Sequence, residues 1–250
     1  MIYQTFAKLY DELFDPQLYA DWAAFTRQTV RQPEAPLLEL ACGTGRLAVQ
    51  LAKTGFNVTG FDLSEEMLTL ADQHAREAAV TLPLIEGNML DLSELGTYQT
   101  VTCYADSLCY LADEAALQTV FEQVAAHLED DGQFLFDVIT PHQTDDIYPG
   151  YMFNYRDEDR AFLWSSDEAE EPHAVEHDLT FFTYNPAKDA YDEVSELHHE
   201  RTYELAVYQR LLQVAGFKKV TVSADFGRNQ PDDDTTRWFF VCEKGDGQND

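Results

Sequence analysis

The chain has 250 residues, of which 45% are hydrophobic, and this is enough to bury one sizeable core. Its 46 acidic and 16 basic residues give a formal net charge of −30, which argues against nucleic acid and anionic membranes as partners because both are bound through Lys and Arg. The sequence shows no signal-peptide pattern, no apolar run of ~20 residues and no C-x-x-C pair among its four cysteines, so we expect a cytoplasmic protein.

Apolar residues at helical spacing predict two helices near the amino terminus, over about residues 2–14 and 17–31. Short apolar strands then alternate with helices from residue 36 to residue 139. The strands are PLLELA, FNVTGFD, TLPLIEG, TYQTVTCYA and QFLFDVI, and the helices are GTGRLAVQLAKTG, SEEMLTLADQHAREAA and DEAALQTVFEQVAAHLEDDG. This alternation predicts an α/β fold with a Rossmann-like, doubly wound and mostly parallel sheet.

The alternation stops after Pro141, and aromatic and β-branched segments separated by acidic turns follow over about residues 145–200. This pattern predicts an inserted antiparallel β sheet. A further helix and two strands then return to the first pattern. We therefore predict a main domain of residues 1–144 plus 201–244, in which residues 1–32 form helices over the site. Residues 145–200 would form a lid or substrate subdomain, since long insertions in compact domains are usually functional.

A glycine-containing loop follows the first predicted strand, with Glu39 before it and Gly43 and Gly45 within it. Two ligands suit this loop. The pattern Gly43-x-Gly45-x-x-Ala48, with Asp62 following Gly43 by 19 residues, satisfies the dinucleotide fingerprint. However, a dinucleotide would place its anionic pyrophosphate beside Glu39, whereas S-adenosylmethionine would place a cationic ammonium there. The charge of Glu39 therefore favours S-adenosylmethionine, and an NAD(P)-binding oxidoreductase is the alternative.

The segments LELACGTG, FDLSEEML and EGNMLDL resemble class I S-adenosylmethionine-dependent methyltransferases over about residues 35–140. Among these, the small-molecule N-methyltransferases of the glycine type are most similar in motif, with an A-C-G-T-G loop and an asparagine at the position of Asn88. The chain departs from many members at Ala41, where they carry glycine, and at Asn88, where they carry aspartate.

The resemblance implies residues for each part of the cofactor S-adenosyl-L-methionine. Glu39 and the backbone of Ala41, Gly43 and Gly45 would hold the methionine part. Asp62 would bind the ribose, Leu63 and Met67 would pack on the adenine, and Asn88 with the Met89 amide would bind the adenine edge; Tyr104 is placed with them. Two structural alternatives stay open, because Asp62 could cap a helix and Met67 and Met89 could be core residues.

Asp106, Ser107 and Tyr110 follow the fourth strand, near the switch point where open α/β sheets bind ligands. We take Asp106 and Tyr110 as candidate catalytic residues, and Asp106 favours a cationic or amine-bearing acceptor. Its alternative role is to cap a helix. The resemblance adds Tyr10 at the mouth of the site, unless it is a core residue. Arg201 could bind an anionic group of the substrate or form an ordinary salt bridge.

These residues predict an enzyme that transfers a methyl group to N or O of a small molecule by in-line displacement, acting as a monomer or homodimer. A catalytically silent cofactor-binding or interaction module is a second alternative. The motif H-x-x-E-H at His173, Glu176 and His177 matches a zinc-protease signature, which requires a helix. The segment is strand-like, so we expect no metal.

Overall fold

The computed structural model of the protein describes residues 16–245, so the helix predicted over residues 2–14 and the candidate Tyr10 lie outside the described residues. Helices and strands alternate along the first half of the chain as predicted. The helices are α1 (Pro16–Thr29), α2 (Arg46–Lys53), α3 (Glu65–Glu77), α4 (Glu114–His127) and α5 (Leu205–Val214).

Seven strands form the main sheet: β1 (Pro36–Leu40), β2 (Asn57–Asp62), β3 (Leu84–Glu86), β4 (Tyr98–Cys103), β5 (Leu128–Ile139), β10 (Phe217–Ser223) and β11 (Arg237–Lys244). Their order is β3-β2-β1-β4-β5-β11-β10, and every neighbouring pair is parallel except the two that involve β11. The predicted Rossmann-like, mostly parallel sheet is confirmed. The strand order reverses between β1 and β4, which places the switch point beside the glycine loop.

Both faces of the sheet are covered, which explains why its central strands are almost continuously apolar. Helices α1 and α2 cover one face through a cluster that includes Trp22, Phe25 and Leu51. Helices α4 and α5 cover the other face through a cluster that includes Phe121 and Tyr208. The carboxyl edge of the parallel strands lies between these layers.

One predicted boundary is wrong. The sequence pattern extends helix α4 to Gly132, whereas the helix ends at His127 and β5 begins at Leu128. Leu128 is only 2% exposed, takes an extended conformation and pairs with Tyr98 of β4. Burial of this leucine in the sheet therefore outweighs the helical pattern of the polar residues that follow it.

The predicted antiparallel insertion is also confirmed. It is a second sheet of four strands in the order β6-β7-β8-β9: β6 (Met152–Arg156), β7 (Arg160–Glu168), β8 (Ala174–Asn185) and β9 (Ala190–Arg201). The H-x-x-E-H segment runs into β8 and forms a strand, so it lacks the helix that a zinc protease requires. One face of this sheet carries aromatic residues such as Phe162, Trp164 and Phe181. Glu200 lies at the end of β9 that is nearest to the main sheet.

Within residues 16–245, no helix combines the length and the apolarity that a membrane span requires. All four cysteines are buried and carry free thiols.

Candidate active site

The loop after β1 turns through three residues with positive φ, namely Ala41 (52°), Gly43 (53°) and Gly45 (70°). Glycine is required most strongly at Gly45, because a Cβ atom there would lie 2.7 Å from the Cβ of Ala71 on helix α3. The loop therefore closes directly onto α3. Its backbone N–H groups at Cys42 and Gly45 donate to the carbonyls of Phe61 and Cys42.

We expect Gly45→Ala to destabilise the protein by about 2–4 kcal/mol, because it adds a left-handed alanine and an atomic overlap with Ala71. Gly43→Ala is the matched control, because a Cβ atom at Gly43 would meet no atom within 4 Å. It should cost about 1 kcal/mol from conformation alone. Urea unfolding of both variants measures the difference, and equal losses of stability would contradict the overlap.

Asp62 ends β2 and joins the glycine loop to the start of α3. Its two carboxylate oxygens accept hydrogen bonds from the N–H groups of Gly43 (2.7 Å) and Ser64 (2.9 Å). Burial raises the pKa of Asp62, and these hydrogen bonds oppose the rise. The residue that caps α3 is Ser64, whose hydroxyl accepts from the Met67 N–H, so the capping role considered for Asp62 is wrong.

Glu39 lies in β1 beside Gly60 of β2 and is only 5% exposed. Its Oε2 atom has no hydrogen-bond partner among residues 16–245. Burial raises the pKa of Glu39 to about 8, and the negative charge of Asp62 adds to the rise. A buried carboxyl group with an unused oxygen is an unfavourable arrangement that a cationic ligand would relieve. Glu39 therefore fits the ammonium of S-adenosylmethionine, whose positive charge would favour the ionised form of the carboxyl group.

The residues expected at the adenine lie along one side of this loop. Leu63 is 69% exposed, which is high for a leucine directly after a buried strand. Met67 is partly buried, and Met89 packs in part against the core, so the core role considered for Met89 is partly fulfilled. Asn88 is exposed, and its Oδ1 accepts from the Leu90 N–H (3.0 Å), which leaves its amide NH₂ available.

The side chain of Tyr104 does not face the cofactor loop. It is buried under helix α1, where its hydroxyl forms a 2.9 Å hydrogen bond with Thr26 and its ring stacks on Trp22. The side-chain role expected for Tyr104 is therefore corrected to a core role, and only its backbone could contact a ligand.

The loop after β4 contains two residues with positive φ, Ala105 and Asp106, and a short 3₁₀ turn at Ser107–Tyr110. The carboxylate of Asp106 accepts a hydrogen bond from Arg237 Nη2 (2.9 Å). Asp106 is the N-cap residue of the 3₁₀ turn, but its side chain makes no capping hydrogen bond, so the side-chain capping role considered for it is wrong. Burial raises the pKa of Asp106 to about 6, whereas Arg237 acts to lower it. This carboxyl group can therefore change its protonation near neutral pH.

The loop after β4, residues 104–110, is called the acceptor loop below. Asp137 connects it to two other parts of the chain. It lies in β5 and is 0% exposed. Its Oδ2 accepts hydrogen bonds from Trp22 Nε1 (2.7 Å) and Arg237 Nη1 (3.2 Å), and its Oδ1 accepts from the Asp106 N–H (3.1 Å). Asp137 thus fixes the loop on which Asp106 lies.

The inserted sheet adds Glu200 and His177 to this region. Glu200 is 5% exposed, and its Oε2 lies 3.8 Å from His177 Nε2. Tyr110, on the acceptor loop, is half exposed, and its hydroxyl lies 3.3 Å from Nδ1 of His198 on the same sheet. The insertion and the acceptor loop therefore meet at the carboxyl edge of the main sheet.

Arg201 does not join Asp106 and Tyr110. Successive residues of a strand point to opposite faces, so Glu200 faces the acceptor loop and Arg201 faces away. Arg201 lies over the ring of Tyr203 (5.0 Å) in a groove that also contains Asp113 and Glu114. The structure thus places Glu200 where the sequence suggested Arg201.

Arg237, Asp137, Glu200 and His177 were missed as site residues. Two of them carried a signal, since Asp137 interrupts the apolar segment QFLFDVI and Arg237 precedes the apolar segment WFFVC. A charged residue inside a predicted buried strand needs a partner, and these two residues are partners. Glu200 and His177 lie among other polar and charged residues in the sequence, so neither stood out as a charged residue within an apolar segment.

A switch point that carries a glycine loop, a buried unpartnered glutamate and an aspartate at the end of β2 defines the class of S-adenosylmethionine-dependent methyltransferases. A methyltransferase-domain family description matches residues 37–132. A methyltransferase-family protein of Geobacillus sp. (strain WCH70) is 38% identical over 248 residues, which cover 98% of this chain and 100% of that protein. The chain therefore belongs to the class I S-adenosylmethionine-dependent methyltransferases.

Two further proteins are similar. The dTDP-3-amino-3,6-dideoxy-alpha-D-glucopyranose N,N-dimethyltransferase of Streptomyces fradiae is 28% identical over 211 residues, covering 83% of this chain and 77% of that protein. The crystal structure of an S-adenosylmethionine-dependent methyltransferase from Clostridium acetobutylicum ATCC 824 matches with a TM-score of 0.84 and 26% identity, covering 97% of this chain and 99% of that one. The comparisons confirm the predicted S-adenosylmethionine-dependent methyl transfer, and they do not favour the dinucleotide-dependent oxidoreductase.

Proposed function

We propose that this methyltransferase acts on the nitrogen of a small amine-bearing molecule, with amino sugars as the first class to test. The observation that carries the proposal is the charge around Asp106, Asp137, Glu200 and Arg237, which we call the acceptor region. Three carboxyl groups, those of Asp106, Asp137 and Glu200, lie around the single guanidinium of Arg237. Such a region favours a cationic ligand and disfavours an anionic one.

The relative from Streptomyces fradiae supports the same class, because its name describes N,N-dimethylation of an amino sugar nucleotide. Its similarity extends over 83% of this chain. The acidic acceptor region also disfavours glycine-like acceptors, since their carboxylate would lie among like charges.

For the donor, we propose that Glu39 holds the ammonium and that the loop of Ala41, Gly43 and Gly45 supports the methionine part through its backbone. Asp62 would bind the ribose hydroxyls, and Leu63 would cover the adenine. The unpartnered Oε2 of Glu39 supports this assignment. Met67, Asn88 and the Met89 amide would complete the adenine site.

Bound S-adenosylmethionine supplies a methyl group that is already activated by its sulfonium. The protein therefore has to orient the acceptor nitrogen, exclude water and remove a proton from the ammonium form of the acceptor. Asp106 suits the proton transfer, because burial brings its pKa to about 6. Arg237 and Asp137 hold Asp106 in place, and Tyr110 lines the same loop.

The inserted sheet would cover the acceptor, because Glu200 and His198 bring it against the acceptor loop. We also propose that the enzyme works in the cytoplasm, which the four free thiols support. Its oligomeric state is proposed as monomer or homodimer.

A methylation screen tests the proposed function. The protein is incubated with S-adenosylmethionine and glucosamine, galactosamine, ethanolamine, spermidine, glycine, glucose or glycerol, and the products are identified by mass spectrometry. We expect N-methylation of at least one amino sugar or amine and no methylation of glucose, glycerol or glycine. Methylation of the hydroxyl compounds alone would overturn the proposal. Tight binding of S-adenosylmethionine without any turnover would support the silent-module alternative.

A further inference from the structure

We propose that Glu200, the second-last residue of the inserted sheet, binds the ammonium group of the acceptor and thereby selects cationic acceptors. This inference rests on the proposed function. It concerns a residue that lies 94 positions after Asp106, in a different sheet.

Glu200 is buried but retains an unused oxygen. Only 5% of the residue is exposed, and Oε2 has no hydrogen-bond partner in the described part of the chain. Burial acts to raise the pKa of Glu200, but His177, the Tyr110 hydroxyl and Arg237 outweigh it, so its pKa lies below the usual value. Glu200 is therefore ionised at neutral pH. A buried carboxylate with a free acceptor position is suited to a cationic partner.

His177 lies beside this carboxylate, but at 3.8 Å its Nε2 is beyond hydrogen-bond distance of Oε2, which therefore keeps an open acceptor position. The indole N–H of Trp164 donates to His177 Nδ1 (3.2 Å), and the Ser166 hydroxyl also contacts Nδ1 (2.7 Å). An indole nitrogen can only donate, so Nδ1 must accept and the ring proton must lie on Nε2. That N–H faces Glu200 Oε2 at 3.8 Å. His177 is thus a positioning residue with a defined tautomer.

The surroundings of Glu200 place it at the acceptor region and not in a separate cluster. Its charge raises the pKa values of Asp106 and Tyr148, and Arg237 and Tyr110 act on Glu200 in turn. The Tyr148 ring also packs edge-on against His177, with ring centres 4.7 Å apart. Asp106 forms the 2.9 Å pair with Arg237, which leaves Glu200 as the carboxylate with a free oxygen. The two carboxyl groups therefore divide the work, since Glu200 binds the cation and Asp106 accepts the proton.

The test compares Glu200→Gln with wild type on the best amine acceptor of the screen, with glucosamine as the reference amine. We expect the acceptor KM to rise roughly 30-fold or more, because loss of one partner of a buried charge pair is costly. The kcat and the Kd for S-adenosylhomocysteine, measured by calorimetry, should change less than about threefold. Glu193→Gln is the matched control, because Glu193 lies in the same strand but is exposed on the opposite face, and it should leave KM unchanged.

Three further variants keep the test decisive. Glu200→Asp retains the charge and should recover most of the affinity if Glu200→Gln folds poorly. His177→Leu should raise KM, and His177→Gln, which keeps an N–H donor towards Glu200, should restore it in part. Amine turnover with unchanged KM in Glu200→Gln would overturn this inference and leave the proposed function intact. A wild-type enzyme that methylates no amine would overturn both.

Discussion

Asp62→Ala should weaken binding of S-adenosylmethionine and S-adenosylhomocysteine by about 100-fold or more. The expected loss has two sources. Two charge-assisted hydrogen bonds to the ribose would disappear, each worth roughly 1.5–3 kcal/mol. In addition, the Gly43 and Ser64 N–H groups would lose their acceptor, so the glycine loop would no longer be fixed for the ligand. Calorimetric titration of the folded variant measures the change.

The control for this prediction is Asp113→Ala. Asp113 also accepts a backbone hydrogen bond, from the Ala116 N–H at the start of α4, but it lies away from the glycine loop. Its loss should cost about 1 kcal/mol of stability and no affinity for the donor. Unchanged donor affinity in Asp62→Ala would remove this residue from the cofactor site, and binding of NADH by the wild type would revive the oxidoreductase alternative.

Glu39→Gln should remove a large pH dependence of stability from the ligand-free protein. The pKa of Glu39 is about 8 in the folded state against an ordinary value of 4.5. Between these values the folded state keeps a proton that the unfolded state has released, so stability falls as pH rises through this window. The loss amounts to at most about 1.4 kcal/mol per pH unit, or about 4 kcal/mol between pH 5 and pH 8.

Urea unfolding of wild type and Glu39→Gln at pH 5, 6.5 and 8 tests this expectation. The variant should lose less stability between pH 5 and pH 8 than the wild type. Its stability should still fall as pH rises, because the pKa values of Asp62 and Asp106 are also raised. Glu86→Gln, on the exposed part of β3, should keep the wild-type slope. At pH 8 the Glu39→Gln variant should also bind S-adenosylmethionine about tenfold more weakly, because the ammonium of the ligand no longer has the carboxylate of Glu39 as a partner. Identical slopes in wild type and Glu39→Gln would show that Glu39 does not hold this proton.

The proposed donor half of the candidate site could be proposed from sequence because its residues lie at the ends of neighbouring strands. Glu39, Gly43 and Asp62 lie at the ends of adjacent strands, and the sheet topology alone brings them together. The strand and helix pattern of residues 16–140 was predictable for the same reason, since the hydrophobic periodicity of each segment agrees with its burial. The exception is the end of α4, where Leu128 is drawn into the sheet.

The acceptor half depends on contacts between distant segments. Arg237 and Asp106 are 131 residues apart in the chain, and only the pairing of β11 with β5 brings them within 2.9 Å. The choice between Glu200 and Arg201 depends on strand register, because a shift of one residue exchanges their faces. No single segment of the sequence carries that information. The same holds for Tyr104, which was placed with the cofactor residues but whose ring packs under α1.

The contacts of Asp137 determine which segments must be exchanged together when acceptor specificity is transferred between enzymes of this fold. One carboxylate holds Trp22 of α1, Arg237 of β11 and the backbone of the acceptor loop at Asp106. A chimera that receives a foreign loop over residues 104–110 without Asp106, but keeps the other segments, would leave Nη2 of Arg237 without its carboxylate partner. The loop, Trp22, Asp137 and Arg237 therefore form one exchangeable unit, although they span almost the entire chain.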